Sequence, residues 1–154
     1  MKRYRKTSHS VYDIKFHFVW ITKYRKPVLF GDVAIRVRDL IREICNSMDI
    51  EIIKGHVSTD HVHLFASVPP YHSVSDVMKR VKGKTSHKLL SENRMLAKKF
   101  WGRHLWARGY FAASSGNVTD EVIAEYIQLQ GEQKRDRDDD FTIDGFESSS
   151  DDQV

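Results

Sequence analysis

Across residues 11–21 the apolar side chains Ile14, Phe16, Phe18 and Trp20 fall at every second position, and shortly afterwards the period changes. A period of two belongs to a strand with one buried face. Beyond the turn around Pro27 and Gly31, Val33, Val37, Leu40, Ile41, Ile44 and Met48 recur at three- and four-residue steps with Arg and Asp between them, which predicts an amphipathic helix. Residues 50–58 and 61–68 are short β-rich runs on either side of Thr59-Asp60, ended by Pro69-Pro70, and predict a hairpin. A second helix, capped by Ser73 or Ser75, carries Val77, Met78, Val81 and Leu89, with Gly83 as a weak point. A strand over 108–114 follows. A last helix opens at Asn117 or Thr119, with Asp120 and Glu121 in its first turn, and runs to about Gln133.

Strand, helix, strand, strand, helix, strand is the split βαβ order of ferredoxin-like, RRM-like domains. The expected class is therefore α+β: one antiparallel sheet with helices on one face, and a further C-terminal helix that carries Tyr126. A chain of 154 residues suffices for one such domain and not for two ordinary ones. Charge divides it unevenly. Residues 136–154 hold eight Asp/Glu against one Arg, while residues 1–135 hold 24 Lys/Arg against 13 Asp/Glu, a balance of +11. The reading is a domain over 1–135 and an acidic, disordered tail over 136–154. So basic a domain has the electrostatics of a protein that meets phosphates. Cys45 is the single cysteine and lies in a helical apolar pattern, which excludes a disulfide framework and a cysteine zinc site. A reducing cytoplasm fits, and no stretch has the apolar length of a membrane anchor.

Three groups of residues carry chemistry. His61 and His63, two apart on a strand, project from one face, while Val62, Leu64, Ala66 and Val68 take the other; the histidine face is expected to be open. Neighbouring imidazoles on a strand can bind a divalent metal. Histidine motifs of nucleotide-binding type would need a third imidazole at Phe65. Tyr126 and Gln130 stand one helical turn apart, a spacing that could present a nucleophile and an amide ligand together and that equally suits a packing tyrosine and a solvated glutamine. From Lys79 to Arg108 there are ten Lys/Arg against one Asp/Glu, interleaved with Phe100, Trp101, His104 and Trp106, a mixture that can neutralise phosphates and stack on unpaired bases.

The strings HFVWITKYRKPVL at 17–29, Asp60-His61-Val62-His63-Leu64, Lys82-Gly83-Lys84-Thr85-Ser86, Gly109-Tyr110-Phe111, Gly116-Asn117-Val118 and Glu125-Tyr126-Ile127 with Gln130 occur in an order and spacing that resembles the single-tyrosine HUH transposases of small bacterial and archaeal insertion sequences. The resemblance runs from about Tyr12 to Gln133. It implies that His61, His63 and Gln130 bind Mg²⁺ or Mn²⁺ and that Tyr126 is the nucleophile. It further implies cutting and rejoining of single-stranded or hairpin DNA through a 5′-phosphotyrosine link. A homodimer is implied too, with sheets joined edge to edge and the histidines of one subunit serving the tyrosine of the other. The candidate DNA contacts are Lys23, Arg25, Lys79, Lys82, Lys84 and Arg108. His17, His56 and Asp60 are expected to support the site from behind. Rolling-circle initiators often carry a second tyrosine or a lysine soon after the first, where this chain has Leu129 and Gln130, so transposase is favoured. The rival readings are a domesticated nuclease that cuts repeated hairpins in its host chromosome, and a non-catalytic nucleic-acid-binding module on the same fold.

Overall fold

Residues 11–21 divide into two strands. In the computed structural model, which describes residues 4–114, 125–126 and 141–143, Arg5–Lys6 (β1) pairs with Val11–Tyr12 (β2) as a small separate ribbon, and the main strand is Lys15–Ile21 (β3). Arg5 ties the ribbon down by donating to the Ser67 carbonyl at 2.9 Å and the Asp49 carbonyl at 2.8 Å. The helix predicted over 33–48 is Gly31–Ser47 (α1); it buries Val37, Leu40, Ile41 and Ile44. The hairpin is Glu51–Val57 (β4) and His61–Ser67 (β5), closed by Ser58 N–H to the His61 carbonyl at 2.9 Å.

The second helix is Val74–Glu92 (α2), capped by Ser73, whose hydroxyl accepts from the Asp76 N–H at 3.1 Å. It passes through Gly83 unbroken. A mid-helix glycine costs about 1 kcal/mol relative to alanine, less than the roughly 1.5–3 kcal/mol from burying any one of Val77, Met78, Val81, Leu89 or Leu90. A short helix, Arg94–Ala97 (α3), follows, and the predicted strand over 108–114 is narrowed to Phe111–Ser114 (β6).

Among the described residues the main sheet has the order β6-β3-β5-β4 with antiparallel neighbours, as the split βαβ order requires. Phe141–Ile143 (β7) then pairs in parallel with Gly55–Val57 on the outer side of β4. Three residues of the acidic tail are therefore a strand: Phe-Thr-Ile is a β-favouring triplet that finds an unpaired edge. The rest of that tail, and the helix predicted from 117 to 133 apart from Glu125 and Tyr126, lie outside the described residues.

Cross-strand register separates the two faces. Phe16, Phe18, Trp20, Val62, Leu64 and Ala66 share the face covered by α1 and α2, where Phe18, Trp20, Val62 and Ala66 are wholly buried. His17, Val19, Ile21, His61, His63 and Phe65 share the opposite face. A bulge between Ile52 and Lys54 adds one residue to β4 and turns its register, so that His56 lies directly opposite His63.

Candidate active site and nucleic-acid interface

The second face is a histidine face only partly open, where sequence predicts an open one: His17, His63 and Phe65 are half-buried and His61 is fully buried. His61 is 0% exposed, and Val19 and Ile21 are buried as well, so β3 is covered on both sides. Glu125 and Tyr126 are helical, and the half-buried Tyr126 ring packs on Val19 and Phe111, with 5.4 Å between its centroid and that of Phe111. Val19 is the direct cross-strand partner of His63. The fold therefore brings Tyr126, His61 and His63 to one sheet face, whereas Gln130 lies outside the described residues. Burial lifts the Tyr126 phenol above its ordinary value, so it stays protonated at neutral pH.

Each imidazole of the pair is fixed by a partner. His61 Nδ1 is 2.9 Å from Asp60 Oδ1, and the other carboxylate oxygen of Asp60 takes the Arg25 guanidinium. Burial works to raise the Asp60 carboxyl, but the hydrogen bond from His61 and the charge and hydrogen bond of Arg25 outweigh it and hold the group below the usual carboxylate range. An ionised Asp60 accepts a hydrogen bond from His61 Nδ1–H and so leaves the lone pair on Nε2, the tautomer a metal-ligating histidine backed by a carboxylate adopts. His63 Nε2 is 3.0 Å from His17 Nδ1, and His17 is itself stacked on Phe65 at 4.2 Å. His56 bonds Ser58 at 2.9 Å, its ring 6.3 Å from that of His61. Nitrogen donors held in this way suit a divalent cation with a third ligand from elsewhere. Among the described residues no group of three or more His, Cys, Asp or Glu forms a complete metal cage, and a site completed by an amide would not present one.

The basic stretch builds a second feature. The segment between α3 and β6 is bound to the domain by Trp106 Nε1 to Thr85 Oγ1 at 2.8 Å, Leu105 N–H to Ser86 Oγ at 3.1 Å and Ala107 N–H to the Ile21 carbonyl at 3.0 Å. Between this segment and α2 lies a cavity of about 680 Å³, lined by Lys23, Lys82, His87, Arg103, His104 and Arg108 and by no carboxylate. Lys79 and Lys84 are exposed on α2. Two of the candidate DNA contacts are engaged within the protein. Arg25 faces Asp60, and Lys82 donates to the carbonyls of Ala107 at 2.9 Å and Gly109 at 2.7 Å, where burial lowers its amine below the ordinary lysine range. Composition foretold the charge; the cavity and the roles of His87, Arg103 and His104 needed the chain path.

The main sheet carries helices on one face and a histidine pair and a tyrosine on the other, and residues 10–130 match the family described as Transposase IS200 like, a DNA-processing class. The chain belongs to that family, the IS200-like transposases. It is 34% identical over 120 residues to the ISDra2 transposase TnpA of Deinococcus radiodurans, covering 78% of this chain and 86% of the relative. It is 31% identical over 128 residues to the transposase for insertion sequence element IS200 of Salmonella typhimurium, covering 83% and 84%. Among solved structures, a chain assigned as a transposase in Deinococcus radiodurans superposes with a TM-score of 0.76 at 31% identity, covering 84% of this chain and 99% of that one. A REP-associated tyrosine transposase bound to a REP hairpin shares the fold at a TM-score of 0.53 and 18% identity, covering 83% and 72%. Among the described residues no helix is long and apolar enough to cross a membrane.

Proposed function

We propose that this IS200-like transposase cuts and rejoins single-stranded DNA at the ends of an insertion sequence, with Tyr126 as the nucleophile and His61, His63 and Gln130 as holders of Mg²⁺ or Mn²⁺. The observation that carries the reading is the seating of Tyr126 on Val19, the cross-strand partner of His63, on the face that presents both histidines. When bound, the cation supplies Lewis-acid charge to a phosphate oxygen. The protein supplies the rest. Tyr126 Oη attacks phosphorus, its proton leaves as the O–P bond forms, and the 3′ oxygen departs as a hydroxyl, giving a 5′-phosphotyrosine. The ester keeps the energy of the broken bond, so a second 3′-hydroxyl can displace the tyrosine without a nucleotide cofactor. Asp60 holds His61 in one tautomer and His17 holds the His63 ring through its Nε2, which leaves Nδ1 of His63 as the nitrogen that would reach the cation in this arrangement. The basic cavity and the exposed lysines of α2 receive the strand, and the hairpin named for the REP-associated neighbour supports a folded single strand as the form recognised. The working unit is a homodimer of such chains.

The test is cleavage of a labelled single-stranded oligonucleotide bearing an element end, with Mg²⁺ or with excess chelator. Cleavage should need the metal, and His61→Ala or His63→Ala should abolish it while leaving most DNA binding. Full cleavage in chelator would refute the metal role.

A further inference from the structure

Tyr24 lies outside the histidine face, and its surroundings are unusual. It is 67% exposed, and both it and Arg25 adopt left-handed backbone, at φ 61° and 53°, which non-glycine residues rarely enter. Neighbours fix this conformation. Thr22 Oγ1 donates to the Lys26 carbonyl at 2.8 Å, Arg25 N–H to the Thr22 carbonyl at 3.0 Å and Lys23 N–H to the Leu105 carbonyl at 2.8 Å. Two ammonium groups border the ring: Lys23 Nζ at 5.4 Å and Lys26 Nζ at 5.9 Å from its centroid. Lys26 is anchored by the Lys99 carbonyl at 2.6 Å, and Lys23 also lines the basic cavity. A strained turn that displays an aromatic ring to solvent, at the rim of a cavity without carboxylates, is a stacking surface prepared in advance.

We propose that Tyr24 is the platform on which one unpaired base of the DNA strand stacks, with the flanking phosphates along Lys23, Lys26 and the basic cavity. This rests on the reading of the protein as a single-strand DNA enzyme and adds the residue that distinguishes unpaired from paired DNA. In a duplex the base faces are buried in the helix, so the ring has nothing to stack on. The platform is also rigidly spaced from the site: Arg25, the next residue, is bonded to Asp60, which is bonded to His61. A base held on Tyr24 thus sets how far along the strand the scissile phosphate falls.

Two variants separate stacking from folding. Tyr24→Asn removes the ring while favouring the left-handed backbone, and Tyr24→Phe keeps the ring. Binding of a fluorescent single-stranded oligonucleotide and of a blunt duplex is measured by anisotropy in chelator, with thermal denaturation alongside. Tyr24→Asn should weaken single-strand binding about tenfold, within the range for one stacked base, with an unchanged Tm, an unchanged salt slope and unchanged duplex binding. Tyr24→Phe should bind as wild type. Wild-type affinity in Tyr24→Asn, or equal loss in both variants, would overturn the platform while leaving the enzymatic reading intact. A wild-type protein that binds duplex as well as single strand would instead overturn the reading beneath it.

Discussion

Replacing Asp60 by Asn tests the link between the Tyr24–Arg25 turn and the histidine face. In the wild type one carboxylate serves two donors, Arg25 and His61, at a position only 7% exposed. Hydrogen bonds to a charged group are each worth about 1.5–3 kcal/mol, and removing one partner of a buried pair costs about 3–5 kcal/mol. Asn keeps one accepting oxygen, and the Arg25 side chain retains 16% exposure through which water can reach it. The expected loss is therefore about 2–3 kcal/mol, or about 6–9 °C in Tm for a chain of this size. The sign with pH is fixed by the lowered Asp60 carboxyl. Its stabilisation is fully present above the unfolded value near ~4 and fades as pH falls through the lower folded value, where protonated Asp resembles Asn. Circular dichroism melts of both proteins should show the gap at pH 7 and its narrowing below about pH 4. Equal melting at neutral pH, or a gap indifferent to acid, would refute the reasoning.

Burial pushes the Cys45 thiol up to about 12, so a disulfide reagent at mildly alkaline pH should label native protein at least ~100-fold more slowly than unfolded protein; comparable rates would place the thiol at the surface. Tyr126→Phe keeps the ring on Val19 and Phe111 and should melt within about 2 °C of wild type; a larger drop would show the hydroxyl to be structural. Single-strand affinity should fall with salt at a log–log slope of roughly −4, from about six phosphates neutralised by Lys23, Lys26, Lys79, Lys84, Arg103 and Arg108; titration over a salt series checks it, and a slope near zero would contradict a phosphate interface. Ending the chain at residue 135 removes β7 and bares Gly55–Val57, so light scattering should detect added association with concentration; unchanged behaviour would mean that β7 guards nothing.

The fold was legible because periodicity carried it: the two-residue alternation at Phe16, Phe18 and Trp20 and the helical stripe from Val37 to Ile44 both face the core assigned to them. Alternation names two faces but not what covers each, so the full burial of His61 could not be read from it. Composition misled at the tail, where Phe141-Thr142-Ile143 is three residues among Asp and Ser and pairs because β4 offers an edge. Arg25 and Lys82, two of the candidate DNA contacts, engage acceptors within the protein. Whether a long basic side chain meets water or a protein acceptor depends on tertiary neighbours such as Asp60 and the Ala107 carbonyl. The outward display of Tyr24 depends on backbone angles that no pattern of residue types encodes.

In the proposed reaction Tyr126 joins covalently to a DNA 5′-phosphate. Wild-type protein is incubated with a 5′-labelled single-stranded oligonucleotide, a 3′-labelled copy and Mg²⁺, and the denaturant-resistant product is digested and mapped by mass spectrometry. The account predicts that the 3′-label alone stays with the protein, that the nucleotide mass sits on the peptide containing Tyr126, and that Tyr126→Phe yields no such product. Attachment to another tyrosine, retention of the 5′-label, or an adduct that survives in Tyr126→Phe would contradict it.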